Sequence, residues 1–395
     1  MHVLFTTPPA PGHVYPTLPL VEELVDRDHR VTYISAASLE AEIVRAGALF
    51  IDLGWEPDTT TLAASGFSVD ALSADLRGFL AAARTLTPGL LDALADDPPD
   101  VVCIDSVPLG GFLAEQFAAS TVSLIANLAT NEAFPPSNLI DGFMPHHPAM
   151  QHYFAELADW FSAHGLEVPF GPSRDNAPEP PSLVFIPREF QIAGNSFAEN
   201  VHFIGPSMPR RARRSASWTP PHDDAQVLLV SLGTAFNNRP EFFASCAEAF
   251  ADSRFHVVLS LGTHIDPADI GTLPHNIEAH QTVPQLDVLR HATAFITHAG
   301  MGSTMEALYY EVPAIAVPQV REQSVNAARL ESLGLGVQLP SPTPGDLRTM
   351  TEKVAADTVI RSGLAQMREA INRAGGTTAG TGIIEAAGTN RRDPA

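Results

Sequence analysis

The chain has 395 residues, enough for two domains, and its 45 acidic against 23 basic side chains give a formal net charge of −22. Such a balance excludes nucleic acid as the main partner, since polyanions are met by basic faces; an anionic small molecule would have to be held locally, by helix N-termini, histidines and hydroxyls. No apolar run reaches membrane-spanning length, the N-terminus leads into a strand without a basic segment ahead of it, and Cys103 and Cys246 read as buried free thiols of a reducing compartment, so a cytoplasmic chain is expected.

Residues 3–7 read as a first strand, 8–12 as a turn, and Leu18, Leu20, Val21, Leu24 and Val25 have helical spacing behind Pro16. Residues 31–34 read as a second strand and 41–46 as a helix. This alternation implies a parallel sheet with helices on its faces. Residues 57–98 carry weak strand signals and helical patches. Buried strands follow at 100–105 and 122–125. Residues 127–176 mix Pro, His, Phe and Met around one helical patch at 150–164, as a long functional loop region would. Strands at 183–186 and 201–204 end the first half.

Residues 206–222 read as a linker, with Pro206, Pro209, Pro220 and Pro221 around the arginines 210, 211, 213 and 214. Four arginines in an acidic chain read as a solvated linker more readily than as a nucleic-acid site. The second half restarts at residues 227–234 with a strand, a glycine turn and a helix. Strands at 256–260, 276–279, 293–297 and 314–317 follow, with helices at 323–333, 364–374 and 381–387. The expected domains are therefore 1–205 and 223–395, with the last helix free to pack back on the first domain.

The most informative stretch is Thr282-Val283-Pro284-Gln285, the strand at 293–297, His298-Ala299-Gly300-Met301-Gly302-Ser303-Thr304-Met305-Glu306, then Glu322-Gln323. A strand, a glycine turn and a helix N-terminus in that order make an anion site. Ser303 and Glu306 also fit a capping box that needs no ligand. Ser231, Gly233 and Thr234 are a second phosphate candidate, or a simple N-cap. No paired carboxylates are spaced for a metal; Asp223-Asp224 precedes its strand, on the wrong edge. His13 after Gly12, and Asp105 at the end of the strand 101–104, could be a general base and its orienting acid, or a helix-start histidine and a turn aspartate.

Taken together, the stretch resembles the nucleotide-sugar signature of the family 1 glycosyltransferases, and among them the bacterial macrolide-type enzymes. The resemblance covers nearly all of the chain, least at 57–98 and 131–176. It implies the GT-B fold, an α/β architecture of two Rossmann-like domains whose parallel sheets face across a cleft. It implies an inverting transfer of a hexose or deoxyhexose from a UDP- or dTDP-sugar to a hydroxyl of an apolar, macrolide-like natural product, in antibiotic biosynthesis or resistance. By the resemblance, His13 is the base and Asp105 its partner; His298, Gly300, Gly302 and Ser303 hold the donor diphosphate with help from Ser231, Gly233 and Thr234; Gln285 and Glu306 face the ribose; Glu322 and Gln323 read the sugar. The nucleoside-diphosphate sugar is a co-substrate, with no cofactor and no metal. One departure concerns the base: the family's usual aromatic before Val283 is Thr282 here. Rival readings are a GT-B sugar-nucleotide epimerase or hydrolase, and a silent nucleotide-sugar-binding partner. If His13 were not the base, His146, His147 and His152 would be next. The sequence does not set the oligomeric state.

Overall fold

The structure, a computed structural model, describes residues 1–57, 68–140, 147–168, 179–208, 218–234 and 237–389. These form two compact units. The first takes the described residues up to 208 and again from 374 onward, and the second takes those from 218 to 373. The arginine cluster of the expected linker lies outside the described residues.

In the first unit β1 (His2–Thr6), β2 (Arg30–Ser35), β3 (Leu49–Asp52), β4 (Val101–Ile104), β5 (Ser120–Ile125), β6 (Ser182–Val184) and β7 (Val201–Phe203) make one parallel sheet in the order β3-β2-β1-β4-β5-β6-β7. Val3, Phe5, Val101 and Cys103 point into one core, against the helix Leu18–Asp26 and Ile384 of the final helix Gly376–Thr389. Leu4 and Val102 point into the other, under the helices Val69–Leu94, Pro108–Gln116 and Pro148–Ala163. Burial on both faces is why these strands read as unbroken apolar runs. Arg27 Nη1 and His29 Nε2 bind the two oxygens of Glu385 at 2.8 and 2.9 Å, which fastens the final helix to this unit.

The weak stretch at 57–98 holds one long helix, Val69–Leu94, capped by the Ser68 side chain and running through Pro88. A proline that deep costs a backbone hydrogen bond, which is why its pattern reads as patches.

In the second unit β8 (Gln226–Ser231), β9 (Phe255–Ser260), β10 (Ile277–His280), β11 (Ala292–Thr297), β12 (Ala314–Ala316) and β13 (Gly336–Gln338) form a second parallel sheet, ordered β10-β9-β8-β11-β12-β13. Val227, Leu229 and Phe295 centre a core against Val288, Leu289, Ala307 and Val312. Two elements unread in the sequence, β3 and β13, are edge strands of four and three residues, too short to show a period. The helix Pro344–Ala356 was also unread, although Thr343 and Asp346 form a capping box there.

Each sheet reverses its strand order at one place, between β1 and β4 in the first and between β8 and β11 in the second. Open parallel sheets bind ligands beyond the carboxyl ends of the strands at such a switch point. His13 and Asp105 follow β1 and β4, Ser231 ends β8 with Gly233 and Thr234 behind it, and His298 to Glu306 follow β11, while Thr282, Val283 and Gln285 follow β10 and Glu322 and Gln323 follow β12. No described helix is long and apolar enough to cross a membrane.

Candidate active site

In the first unit β1 and β4 are paired in register, Thr6 beside Ile104. The chain leaving β1 turns into the short helix Pro11–Val14, which carries His13. The residue leaving β4 is Asp105, whose N–H donates to Thr6 O at 3.0 Å. Ser106 then takes a left-handed φ of 53° before the helix Pro108–Gln116 begins. These turns bring His13 Nδ1 to 2.7 Å from Asp105 Oδ2, with 41% of the histidine side chain exposed and 4% of the aspartate. A buried carboxylate fixes the proton on Nδ1 and stabilises the imidazolium once it forms. In the neutral ring the lone pair is then on Nε2. Below the pair, Tyr33 OH meets Thr7 Oγ1 at 3.1 Å and Thr17 Oγ1 at 2.9 Å, and Thr17 donates to Val14 O. Burial pushes the Tyr33 hydroxyl far above its ordinary pKa, so this lattice stays neutral and rigid under the His13 helix. His2 is buried and bonded to Thr32 Oγ1, a packing role.

In the second unit β8 and β11 are paired, Ser231 beside Thr297. Ser231 Oγ accepts the N–H of Gly233 at 3.3 Å, and Thr297 Oγ1 accepts the N–H of Ala299 at 3.2 Å. Both donating residues have left-handed backbones, φ 79° at Gly233 and 63° at Ala299. The imidazole of His298 fills the space these turns leave. A Cβ on Gly233 would fall 2.5 Å from its Cε1, and one on Gly300 2.3 Å from its Nε2. Glycine is required at both positions because the ring lies where a side chain would start. Burial pushes the His298 pKa down to about 4, weakly opposed by the nearby Ser231 backbone, so the ring is neutral at physiological pH.

Gln285, at the start of the short helix Gln285–Leu289, donates through Nε2 to Ser303 Oγ at 3.0 Å and to Glu306 Oε2 at 2.5 Å. Burial raises the Glu306 pKa to about 7, against the lowering effect of that hydrogen bond. The capping-box alternative fails: the helix is Met301–Tyr309, Gly300 is its N-cap, and Glu306 turns to Gln285. Among the described residues the next helix is Pro240–Phe250, whose N-cap is Arg239, so neither Ser231 nor Thr234 caps it. Gly302 has open space where a Cβ would go. Thr282 is exposed beside Val283, which packs on the core. Glu322 and Gln323 lie in the first turn of the helix Arg321–Ser332. Gln323 Oε1 accepts the N–H of Gln319 at 2.7 Å, and Arg239 Nη1 donates to Gln319 Oε1 at 2.8 Å.

Of the fallback bases, His146 lies outside the described residues, His147 is the N-cap of Pro148–Ala163, and His152 pairs with Glu156 at 3.3 Å. Sequence reasoning missed Tyr33, Thr17, Gln319 and two buried asparagines, Asn237 and Asn326. Each acts through a side-chain contact that its local pattern does not announce: Asn237 reaches Gly233 within its own loop, Asn326 reaches Ala299, and Gln319 accepts from Arg239. Among the described residues no group of three or more His, Cys, Asp or Glu is arranged to hold a metal.

Residues 248–377 match the family description "Erythromycin biosynthesis protein CIII-like, C-terminal domain". The chain is 35% identical over 394 residues to the NDP-glycosyltransferase YjiC of Bacillus subtilis (strain 168), covering 98% of this chain and 97% of that one. It is 33% identical over 398 residues to the oleandomycin glycosyltransferase of Streptomyces antibioticus, covering 98% and 90%. Among solved structures, the calicheamicin glycosyltransferase superposes with a TM-score of 0.83 at 34% identity, over 99% of both chains.

Proposed function

The chain belongs to the macrolide-type family 1 glycosyltransferases of GT-B fold, and from that premise we propose that it is an inverting, metal-independent enzyme moving a hexose or deoxyhexose from a nucleoside-diphosphate sugar to a hydroxyl of an apolar natural product. The observation that carries this reading is the His13–Asp105 hydrogen bond of 2.7 Å at the switch point of the first sheet. Its exposed ring can meet a hydroxyl while its buried carboxylate holds the ring.

In the proposed step His13 Nε2 takes the acceptor hydroxyl's proton as that oxygen attacks the anomeric carbon from the face opposite the diphosphate. The new C–O bond forms as the bond from the anomeric carbon to the phosphate oxygen breaks, and the electron pair leaves with the diphosphate. Asp105 offsets the positive charge gained by the ring. The leaving diphosphate meets the backbone N–H groups and positive end of the helix Met301–Tyr309, the neutral His298 ring and the Ser303 hydroxyl. Gln285 and Glu306 are placed to take ribose hydroxyls, and Glu322 and Gln323 the sugar.

The test is a mass-spectrometric product screen that crosses UDP- and dTDP-sugars with macrolide and flavonoid acceptors, with and without excess chelator. A glycoside formed with chelator present is the expected result. Sugar release without any glycoside would mean a hydrolase, donor binding without turnover would mean a silent binding protein, and rescue of lost activity only by magnesium or manganese would remove the metal-free leaving-group scheme.

A further inference from the structure

His298 stands between two turns that L-residues and ordinary contacts do not hold by themselves. Ala299 has a φ of 63° without being glycine, a conformation that its Cβ makes sterically costly for an L-residue. Gly233, at φ 79°, faces the same ring from the other strand. Each turn is held from behind by a buried asparagine. Asn237 Nδ2 donates to Gly233 O at 2.6 Å, and Asn326 Nδ2 donates to Ala299 O at 3.1 Å. The two side chains are 1% and 0% exposed. Asn237 is itself lodged: a Cβ on Gly262 would fall 1.9 Å from its Nδ2. Asn326 projects from the helix Arg321–Ser332, one turn after Gln323.

The chemistry of the two contacts is the same. A buried amide N–H anchors the carbonyl of a left-handed residue, and the N–H of that residue is anchored by a strand-end hydroxyl, Ser231 or Thr297. The two peptide groups that flank each left-handed residue are therefore each held by one of these bonds, and the imidazole fills the space between the turns. Backbone held in a costly conformation persists only where the surroundings over-determine it, and it concentrates at functional sites. A side chain meant to present one N–H to a diphosphate gains from a ring that cannot tilt.

We infer that Asn237 and Asn326 are positioning residues that clamp the Gly233 and Ala299 turns and so fix the His298 ring for the donor diphosphate. This rests on the reading of His298 as a diphosphate ligand. Neither asparagine contacts the nucleotide; both act through the backbone.

The experiment compares His298→Ala, Asn237→Ala, Asn326→Ala and the double variant Asn326→Ala with Ala299→Gly. It reads Kd for UDP and for dTDP by calorimetry, the steady-state constants with donor and acceptor, and the His298 ring resonances in ligand-free, histidine-labelled protein. Losing one buried hydrogen bond should raise the diphosphate Kd about tenfold in either asparagine variant and lower the rate at saturating donor, because His298 also meets the leaving diphosphate, with the acceptor KM within about twofold of wild type. The His298 resonances should shift and broaden without ligand. Ala299→Gly should recover part of the lost affinity in the Asn326→Ala background, because glycine holds a positive φ unaided. A merely structural role would lower the melting temperature without moving the resonances of the folded fraction and without splitting donor from acceptor constants. If either alanine variant fails to fold, Asn237→Leu and Asn326→Leu, which nearly keep the volume and lose the N–H without burying a charge, take its place. Wild-type resonances and diphosphate affinity in both asparagine variants, with binding weakened in His298→Ala, would overturn the clamp and leave the reading of His298 intact. Unchanged affinity in His298→Ala would remove that reading, and the ligand-free resonances would still decide the clamp.

Discussion

His13 and His298 each follow a strand at the switch point of its own sheet, yet the two surroundings prepare opposite chemistry. His13 is 41% exposed and bonded to a buried carboxylate, so its imidazolium has a partner waiting. His298 has its ring against Gly233 and Gly300, and burial drives its pKa to about 4. One histidine is equipped to accept a proton and the other to stay neutral and donate a hydrogen bond. Environments that push two titratable groups apart divide the labour between them. The same contrast separates two carboxylates: Asp105 is bonded to the ring of His13, and Glu306 meets only the neutral amide of Gln285, so burial raises its pKa to about 7.

The strongest way to break the comparison is to remove the base. General-base help is worth roughly 10²–10⁴-fold in rate, so His13→Ala should lower turnover by at least about a hundredfold. Donor affinity should stay close to wild type, because the proposed donor contacts lie in the second unit. Asp105→Ala should lose less, since an untethered ring still accepts a proton part of the time, and the double variant should lose about as much as His13→Ala alone. Near wild-type turnover in His13→Ala on the preferred acceptor would end the assignment, and His147 and His152 would be tested next.

Glycines of the second unit sharpen the other half. Gly300→Ala would put a Cβ against His298 Nε2, and overpacking of this kind costs roughly 1–3 kcal/mol. It should lower both the melting temperature and the donor affinity. Gly302→Ala meets open space and lies inside a helix. Its melting temperature should hold or rise slightly, as replacing a helical glycine gains roughly 0.5–1 kcal/mol. Only donor affinity should fall, because the added methyl would stand where the diphosphate approaches. Equal loss of stability in the two variants would deny that one glycine serves the ring and the other the ligand.

Thr282→Trp is expected to act in the gaining direction. The side chain is exposed while Val283 is anchored in the core, so the backbone there is fixed and the space beside it is open. Stacking on a base is worth roughly 1–3 kcal/mol, so the uridine donor should bind about tenfold more tightly. Calorimetry on both proteins checks it, and unchanged or weaker binding would mean that another group already occupies the base position or that the base is not uracil.

The fold was legible because buried parallel strands announce themselves as apolar runs, and the strand, glycine and helix order at 293–309 announces an anion site. The switch points followed from knowing which strands those were. Short edge strands such as β3 and β13, and the helix carrying Pro88, stayed illegible because their stability comes from neighbours rather than from their own pattern. At the site, residue types with chemistry stood out, while the residues that hold them did not. Tyr33, Asn237 and Asn326 read locally as ordinary core or loop residues, and their roles exist only through side-chain contacts, Asn237 with Gly233 in its own loop, Tyr33 with Thr7 and Thr17, and Asn326 with Ala299. Ser303 and Glu306 show the converse: a local pattern that fits a cap exists, yet the three-dimensional partner of Glu306 is Gln285.

The smallest expected effect concerns pH, and it tests whether burial governs Glu306. Its carboxyl titrates at about 7 in the folded chain against an ordinary 4.5. Between those values the folded state holds a proton that the unfolded state has released, so this group's contribution to stability is present below 4.5 and is lost as pH rises towards 7. His298 works the other way: its folded pKa of about 4 lies below the ordinary 6.5, so stability is gained as pH rises between them. The two slopes oppose each other from 4.5 to 6.5, and wild-type melting should change little with these groups there. Glu306→Gln removes one slope while keeping an oxygen to accept from Gln285. The melting temperature of the variant minus that of wild type should therefore climb from pH 4.5 to about 7 and level off above it. Nucleotide affinity gives a second reading, since ribose hydroxyls donate better to a carboxylate than to a carboxylic acid. Wild-type binding should tighten a few-fold through pH 7, and binding by the variant should be flat. A difference in melting temperature that does not vary with pH would show that Glu306 is solvated in the ligand-free protein, and the contrast with Asp105 would then rest on hydrogen-bond partners alone.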